Sequence, residues 1–333
     1  MFRTILTALL LLTASPAVAD VLIIAHRGAS GERPEHTRAA YALAIAQGAD
    51  IIEPDLVMTR DGILVVRHEN EIGGTTDVAA HPEFAGRRVT RTIDGQAVTG
   101  WFTEDITLAE LMTLRARERL PALRGTDYDG QESILTFAQV LDIAAEASAR
   151  TGRTIGVAPE LKHPSHFAAL GLPMEDAFVA VLERRGLTGA EAPVLVQCFE
   201  VGPLERLAGR IDTPLLQLMA RDGGPADRPE LTYAAMATPE GLARVAAYAQ
   251  WIGAYTAMIE PTAGTPSSLI ADAHGAGLKV AACTFRAENA FLPEGDRVGD
   301  DAAGHGRLRE RLARFVGHGL DAAFMDQPGL AGR

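Results

Sequence analysis

The sequence predicts a single (β/α)8 (TIM) barrel with an insertion after the third strand. Short apolar runs alternate with amphipathic, helix-like stretches along most of the 333 residues. This alternation indicates repeated βα units and therefore a parallel sheet. Most of the apolar runs are continuous, as expected for strands that are covered on both faces. Roughly eight such units in about 310 residues favour closure of the sheet into a barrel.

The strands are predicted from nine apolar runs, at 21–25, 49–53, 63–66, 154–161, 194–198, 214–219, 250–254, 278–283 and 320–325. Amphipathic stretches at 37–46, 136–149, 175–185 and 307–318 predict helices. Residues 70–132 have no strand–helix rhythm, and a helix over 108–115 is their most regular part. We interpret 70–132 as an insertion within one barrel domain that covers 20–333.

Residues 1–19 have the pattern of a secretory signal peptide. Arg3 precedes an apolar run at 5–14, and the small residues Ala17 and Ala19 predict cleavage before Asp20. The run has about half of the roughly 20 apolar residues that a bilayer span requires. We therefore expect a periplasmic or secreted protein without stable membrane insertion.

Composition excludes several classes of protein. Lys and Arg number 31 and Asp and Glu 43, so the formal charge is −12, and a general nucleic-acid binder, which needs a basic face, is not expected. Only two cysteines are present, which excludes a disulfide framework and a cysteine zinc cluster. Cys198 and Cys283 each end an apolar run, and we interpret them as buried thiols, with a disulfide as the alternative.

Ionisable side chains follow four successive apolar runs, at the strand ends where barrel enzymes carry their functional groups. Three carboxylates without a thiolate suit Ca²⁺ or Mg²⁺, and two histidines suit proton transfer near neutral pH. A lone histidine at a strand end is usually structural, but the joint occurrence predicts a reaction site. His36 and His163 are left outside this site. The candidate residues are His26, Arg27, Glu53, Asp55, His68, Glu160 and Lys162.

A hairpin is predicted at Asp61-Gly62, because Asp-Gly is a strong turn signal. If the turn is centred between residues 60 and 61, Glu53 lies opposite His68, which brings the second histidine to the acidic pair. The hairpin also explains why nine apolar runs are found for eight barrel strands, because one of its two strands is then an antiparallel strand or a strand at the rim of the barrel. A shift of one residue would turn His68 to the other face.

These motifs resemble the signature of the glycerophosphodiester phosphodiesterases, and most closely that of the exported bacterial branch. The matching segments are 24–30 (IAHRGAS), 34–37 (PEHT), 53–55 (EPD), 59–62 (TRDG), 65–68 (VVRH), 159–162 (PELK), 197–199 (QCF) and 284–286 (TFR), the last near Asn289 and 291–293 (FLP). Glu69 stands where that family usually has Asp, and Cys283 where it usually has Trp.

The resemblance implies a barrel enzyme that hydrolyses small glycerophosphodiesters to glycerol 3-phosphate and an alcohol. It implies a divalent cation, Ca²⁺ with Mg²⁺ as the alternative, and a nucleophile that is either the neighbouring glycerol hydroxyl or water. The head group, the oligomeric state and the choice of base between the histidines stay open. By the same resemblance the metal ligands are Glu53, Asp55 and Glu160, the acid and base are His26 and His68, and the phosphate is held by Arg27 and Lys162.

Two other functions are weighed against this one. A phosphodiesterase that acts on intact lipid would need exposed aromatic residues or an amphipathic loop, for which the predicted insertion offers Trp101-Phe102. A non-catalytic solute-binding protein would be expected to lack at least one of the histidines or acids, and all five are present.

Overall fold

The computed structural model describes residues 21–332, so the predicted signal peptide and its cleavage site lie outside the described residues. The strands are β1 (Leu22–His26), β2 (Ile51–Glu53), β3 (Asp55–Met58), β4 (Leu64–Val66), β5 (Val89–Ile93), β6 (Gln96–Gly100), β7 (Gly156–Val157), β8 (Glu160–Leu161), β9 (Val196–Cys198), β10 (Leu215–Met219), β11 (Trp251–Tyr255), β12 (Lys279–Phe285) and β13 (Ala322–Met325).

The helices are α1 (Arg38–Ala46), α2 (Leu108–Leu111), α3 (Pro121–Arg124), α4 (Phe137–Thr151), α5 (Pro164–Ala169), α6 (Met174–Glu183), α7 (Val201–Ala208), α8 (Tyr233–Met236), α9 (Pro239–Val245), α10 (Thr256–Ile259), α11 (Leu269–Gly275) and α12 (Leu308–Gly317). Short 3-10 helices span Val78–Ala80, Pro82–Arg87, Thr103–Asp105, Asn289–Phe291, Glu294–Asp296 and Pro328–Ala331. Within 21–332, no helix has the length and apolar character needed to cross a bilayer.

The parallel strands close into a barrel with eight strand positions, which confirms the predicted fold. β1 pairs with β2 and β13, and β2 pairs with β7. β3 continues β2 beyond Pro54 and pairs with β8, from which the ladder runs through β9 to β13. The second and third barrel strands are each divided at a proline, Pro54 and Pro159, because proline has no N–H to donate to the ladder.

The predicted hairpin exists, but its predicted register is wrong by one residue. β4 pairs antiparallel with β3, with Leu56 opposite Val66, so Glu53 does not lie opposite His68. The loop between the strands has three residues rather than two: Thr59 N–H donates to Ile63 O at 3.0 Å, and Gly62 has a φ of +76°. A three-residue loop that ends in a left-handed glycine moves the centre of the turn to Asp61.

The β4–α4 segment, residues 67–136, lies between the hairpin and the third barrel strand. It contains β5 and β6, which form a separate two-stranded sheet. The predicted helix over 108–115 is shorter, since α2 ends at Leu111. A capping box between Thr107 and Glu110 defines the start of α2.

Side chains of alternating direction divide the core into two layers. Most buried apolar residues lie between the barrel and its helices, and a smaller cluster fills the barrel interior. Ile24, Ala158 and Leu195 belong to the interior cluster, and residues two positions further along a strand point to the same side. The interior cluster consists of Ile24, Ala158, Leu195, Leu216, Leu218, Trp251, Ala281, Cys283, Ala322 and Phe324.

Both cysteines are free and buried, in agreement with the interpretation of Cys198 and Cys283 as thiols. Burial raises the pKa of the Cys283 thiol to about 12, so this thiol stays protonated at neutral pH. Neither cysteine contributes a covalent link to the fold.

Removal of the Phe178 ring should destabilise the protein. This fully buried ring on α6 stacks on Phe137 of α4 with centroids 5.3 Å apart. Because Phe178→Ala leaves a cavity, we expect the free energy of unfolding to fall by about 3–5 kcal/mol in chemical denaturation. Leu170→Ala, at a side chain that is 45% exposed, is the control and should change it by less than about 0.5 kcal/mol. A loss below about 1 kcal/mol for Phe178→Ala would contradict this packing.

Candidate active site

A row of polar side chains lies at the carboxyl ends of neighbouring barrel strands. His26 pairs in register with Glu53, Asp55 with Glu160, and Glu160 with Gln197. Neighbouring strands are about 4.8 Å apart, so this register brings the side chains together. His26 lies two positions after Ile24, and Glu160 two positions after Ala158, so both continue the inward-facing set of the interior core.

Glu53, Asp55 and Glu160 form a buried carboxylate trio. Each offers an oxygen, and these three oxygens lie within 4.8 Å of one another. Burial, joined by repulsion from the neighbouring carboxylates, raises the pKa of Glu53 well above its usual range and that of Glu160 to about 8. Burial acts the same way on Asp55, but Lys162, His68 and His36 outweigh it, so the pKa of Asp55 lies well below its usual value.

The trio fits a divalent cation of the Ca²⁺ or Mg²⁺ type. The donors are all carboxylate oxygens, which such cations prefer, and a positive ion would relieve the repulsion among them. Glu53 is fixed from both sides, because its Oε2 accepts from Arg27 N–H at 2.8 Å and its Oε1 from Gln197 Nε2 at 3.0 Å. The positions of these carboxylate oxygens therefore support the predicted set of metal ligands.

Two buried, positively charged side chains, Lys162 and Arg27, lie beside the trio. Lys162 Nζ is 3.0 Å from Glu160 Oε1, and Arg27 contacts Glu35 Oε2 at 3.0 Å and Asp55 Oδ2 at 3.2 Å. Burial opposes the charged form of Lys162, but Glu160 and Asp55 outweigh it, so the pKa of Lys162 lies well above its usual value. Both side chains line the same cavity as the two histidines and remain positively charged.

His26 is held by a carboxylate on the last barrel strand. Its Nδ1 lies 2.6 Å from Asp326 Oδ1, so Nδ1–H donates to this oxygen and Nε2 keeps the lone pair. Asp326 Oδ2 accepts from Arg124 Nη2 at 2.6 Å and from Arg286 Nε at 3.1 Å. Burial, assisted by the charge of Arg27, lowers the pKa of His26 to about 4.

His68 has a similar arrangement just beyond β4. Its Nδ1 lies 2.8 Å from Glu69 Oε1, and its Nε2 lies 3.3 Å from Lys162 Nζ. Burial and the positive charges of Arg27 and Lys162 lower the pKa of His68 to about 3. His68 reaches the site although the predicted register was wrong, because β4 ends at Val66 and the chain bends at His68.

All seven predicted residues thus converge, and six of them line one cavity of about 280 Å³. Asp55 lies behind that surface and joins the site through the carboxylate trio. Phe199, Leu218 and Phe324 form an apolar part of the wall. A second cavity of about 610 Å³ adjoins the first and shares Glu160, Lys162 and Phe199 with it.

Sequence reasoning missed several residues that contact the site. His36, which was predicted to lie outside the site, is fully buried, with Nε2 2.9 Å from Asp55 Oδ2. It lies in a loop, where no periodicity reveals the direction of a side chain. Asp326 directly follows β13, so the rule that identified the carboxylates would also have found it, whereas Gln197 lies within β9. Glu69 follows His68 directly, and its contact depends on the bend there.

Comparisons with known proteins agree with this geometry. The model of the glycerophosphoryl diester phosphodiesterase family matches residues 26–330. Glycerophosphodiester phosphodiesterase GDPD6 of Arabidopsis thaliana is 36% identical over 285 residues, which are 81% of this chain and 75% of that protein. A glycerophosphodiester phosphodiesterase of Haemophilus influenzae is 33% identical over 213 residues, which are 61% of this chain and 55% of that protein.

Solved structures share the fold. A phosphodiesterase of Oleispira antarctica, solved in complex with the product sn-glycerol-3-phosphate, has a TM-score of 0.61 at 21% identity and covers 92% of this chain and 94% of its own. A glycerophosphodiester phosphodiesterase of Thermotoga maritima has a TM-score of 0.53 at 17% identity, with 93% and 96% covered. At these identities the likeness concerns the barrel, and membership rests on the sequence matches. The chain belongs to the glycerophosphoryl diester phosphodiesterase family.

Proposed function

We propose that this chain hydrolyses glycerophosphodiesters to glycerol 3-phosphate and an alcohol, with a divalent cation and histidine acid–base catalysis. The observation that carries the proposal is the meeting of His26 and His68, each backed by a carboxylate, with Lys162, Arg27 and the carboxylate trio. The names of the relatives, and the sn-glycerol-3-phosphate bound by the Oleispira antarctica enzyme, support this choice of substrate.

His26 and His68 move the protons in this proposal. Each donates Nδ1–H to a carboxylate and keeps Nε2 for the reaction, one as the base for the attacking oxygen and the other as the acid for the departing alcohol. Burial and nearby cations hold both pKa values low. The negative charge of a phosphodiester opposes this effect and raises the pKa of both imidazoles towards the working range.

Arg27 and Lys162 attract the substrate phosphate into a chain whose formal charge is −12. Glu53, Asp55 and Glu160 hold the cation, with Ca²⁺ as the first choice and Mg²⁺ as the second. When bound, the cation supplies positive charge that stabilises the charge developing on the phosphoryl oxygens. Lys162 adds charge from the side of His68, to which its Nζ lies 3.3 Å away.

A small, deacylated substrate is favoured over an intact lipid. Phe102 is fully buried under Arg91, whose guanidinium carbon lies 5.2 Å from the ring centroid. Trp101 Nε1 donates to Phe84 O at 2.7 Å, which fixes the indole against the protein. The aromatic pair of the β4–α4 segment is therefore packed, and it offers no exposed wedge for a membrane surface.

We also propose that the protein is exported to the periplasm or secreted, as in the exported bacterial branch of the family. The pattern of residues 1–19 supports this location.

The cation should be essential for turnover. We expect wild-type protein to release glycerol 3-phosphate from glycerophosphodiesters, EDTA to abolish this release, and Ca²⁺ to restore it better than Mg²⁺. Saturating Ca²⁺ should also raise the melting temperature of wild-type protein, and this shift should be absent in Asp55→Asn. Full activity after exhaustive chelation would contradict a role for a cation.

Loss of either imidazole should lower turnover with little change in stability. We expect His26→Ala and His68→Ala each to decrease kcat by about 10²-fold or more, measured as glycerol 3-phosphate release. His274→Ala is the control, because His274 also binds an aspartate, Asp321 at 2.8 Å, at the opposite end of the barrel. Near-normal kcat in either active-site variant would contradict its role.

Export should leave a mature chain that begins at Asp20. After expression of the full sequence in a Gram-negative host, we expect the enzyme in the osmotic-shock fraction and its N-terminal sequence to start with Asp20. A chain retained in the cytoplasm with residues 1–19 intact would contradict the proposed location.

A further inference from the structure

A histidine outside the predicted site bridges two carboxylates. His163, the residue before α5, places Nε2 3.0 Å from Glu69 Oε2 and Nδ1 2.7 Å from Asp94 Oδ2. Asp94 lies in the turn between β5 and β6, at the tip of the hairpin that these two strands form. This β5–β6 hairpin is separate from the β3–β4 hairpin described above. The two carboxylates come from parts of the chain that are 25 residues apart in sequence, and His163 lies between them.

The bridge continues to His68. Glu69 uses Oε2 for His163 and Oε1 for His68 Nδ1, which lies 2.8 Å away. Asp94, His163, Glu69 and His68 therefore form an unbroken series of polar contacts that ends at a proposed acid–base group. We call this series the hairpin relay.

We propose that His163 and Asp94 are positioning residues, which hold Glu69 in the orientation that fixes the ring and the tautomer of His68. This inference rests on the proposed function, because it assumes that His68 transfers a proton. Neither residue matches a segment that carried the family resemblance, and the mechanism above does not use them.

The charges of Asp94, His163 and Glu69 alternate, as this role requires. Burial disfavours the imidazolium form of His163 and Lys162 repels it, but hydrogen bonds with Asp94 and Glu69 outweigh both and raise the pKa of His163 to about 9. His163 thus donates from both nitrogens at neutral pH. Hydrogen bonds from His163 and His68 likewise outweigh burial and hold the pKa of Glu69 well below its usual range, so Glu69 remains a full acceptor for both imidazoles.

The backbone on both sides of the contact is unusual. Asp94 has a φ of +46° and His163 a φ of +48°, in the left-handed region that non-glycine residues seldom adopt. The hairpin tip is also anchored from behind, since Arg91 binds Glu104 at 3.3 Å and Asp105 at 2.6 Å. The tip is thereby held where the Asp94 carboxylate meets His163.

A direct contact of His163 with substrate is the competing explanation, because His163 and Asp94 also line the cavity of about 610 Å³. The geometry favours positioning, since both ring nitrogens of His163 already donate to carboxylates. The two explanations differ in kinetics. A positioning residue acts on kcat, whereas a residue that contacts the head group equally in ground and transition states acts on KM.

The test is steady-state kinetics of glycerol 3-phosphate release by His163→Asn and Asp94→Gly, whose new residues tolerate the left-handed backbone. We expect each to lower kcat by about tenfold or more, because a small misplacement of a reacting group is costly, with KM within about twofold of wild type. Asp94→Asn keeps an acceptor oxygen and should recover most of the loss. His81→Asn is the matched control and should retain wild-type kcat, since His81 also contacts two carboxylates, Asp77 and Glu83, at the surface.

A double-mutant cycle shows whether His163 acts through Glu69. In a Glu69→Ala background, His163→Asn should lower kcat less than about twofold further, because coupled residues are not additive. Additive losses, a change confined to KM, or single variants within twofold of wild type would each overturn the inference. A wild-type protein that releases no glycerol 3-phosphate would instead refute the proposed function itself.

Discussion

Glu53, Asp55 and Glu160 lie close enough to repel one another strongly, and most polar contacts of the site offset that repulsion. Two unit charges at this separation interact by roughly 3–4 kcal/mol in a medium of intermediate dielectric constant. One hydrogen bond contributes only about 1 kcal/mol. Several contacts are therefore needed to offset the repulsion. The trio is surrounded by hydrogen-bond donors from Arg27 and Gln197, by the charge of Lys162 and by the imidazole of His36. The donor set of the trio fits a divalent cation, whose charge would offset the repulsion that these contacts leave.

The two histidines share one design although they come from different places in the chain. Each uses Nδ1 to contact a carboxylate, Asp326 or Glu69, and each carboxylate has a cation on its far side. Arg124 occupies that place behind Asp326, and His163 behind Glu69. A charged carboxylate that is fixed on both sides holds the ring orientation and the tautomer, which is what proton transfer at a defined position requires.

The functional residues at the strand ends were predictable from the sequence because the direction of the side chains repeats every two residues along a strand. The inward direction of Ile24 and Ala158 extends to His26 and Glu160, so an apolar run followed by a polar residue identifies the site. The hairpin register was not predictable to one residue, because Asp-Gly fits turns of two or three residues and a positive φ at Gly62 is compatible with both. The pairing itself, with Thr59 N–H donating to Ile63 O, distinguishes them. His36, Asp94 and His163 lie in irregular backbone, where sequence has no period that reports direction.

The β4–α4 segment has a consequence for how this barrel could evolve or be engineered. It supplies Arg124 and Asp94, the outermost members of both histidine arrangements. In most barrel enzymes loops adjust selectivity while the strands retain the reactive groups. Here the β4–α4 segment also supplies residues that hold the proposed acid–base groups. Shortening or transplanting it would change the surroundings of His26 on the barrel, through Arg124 and Asp326, as well as those of His68 within the segment itself, so barrel and segment are constrained to diversify together.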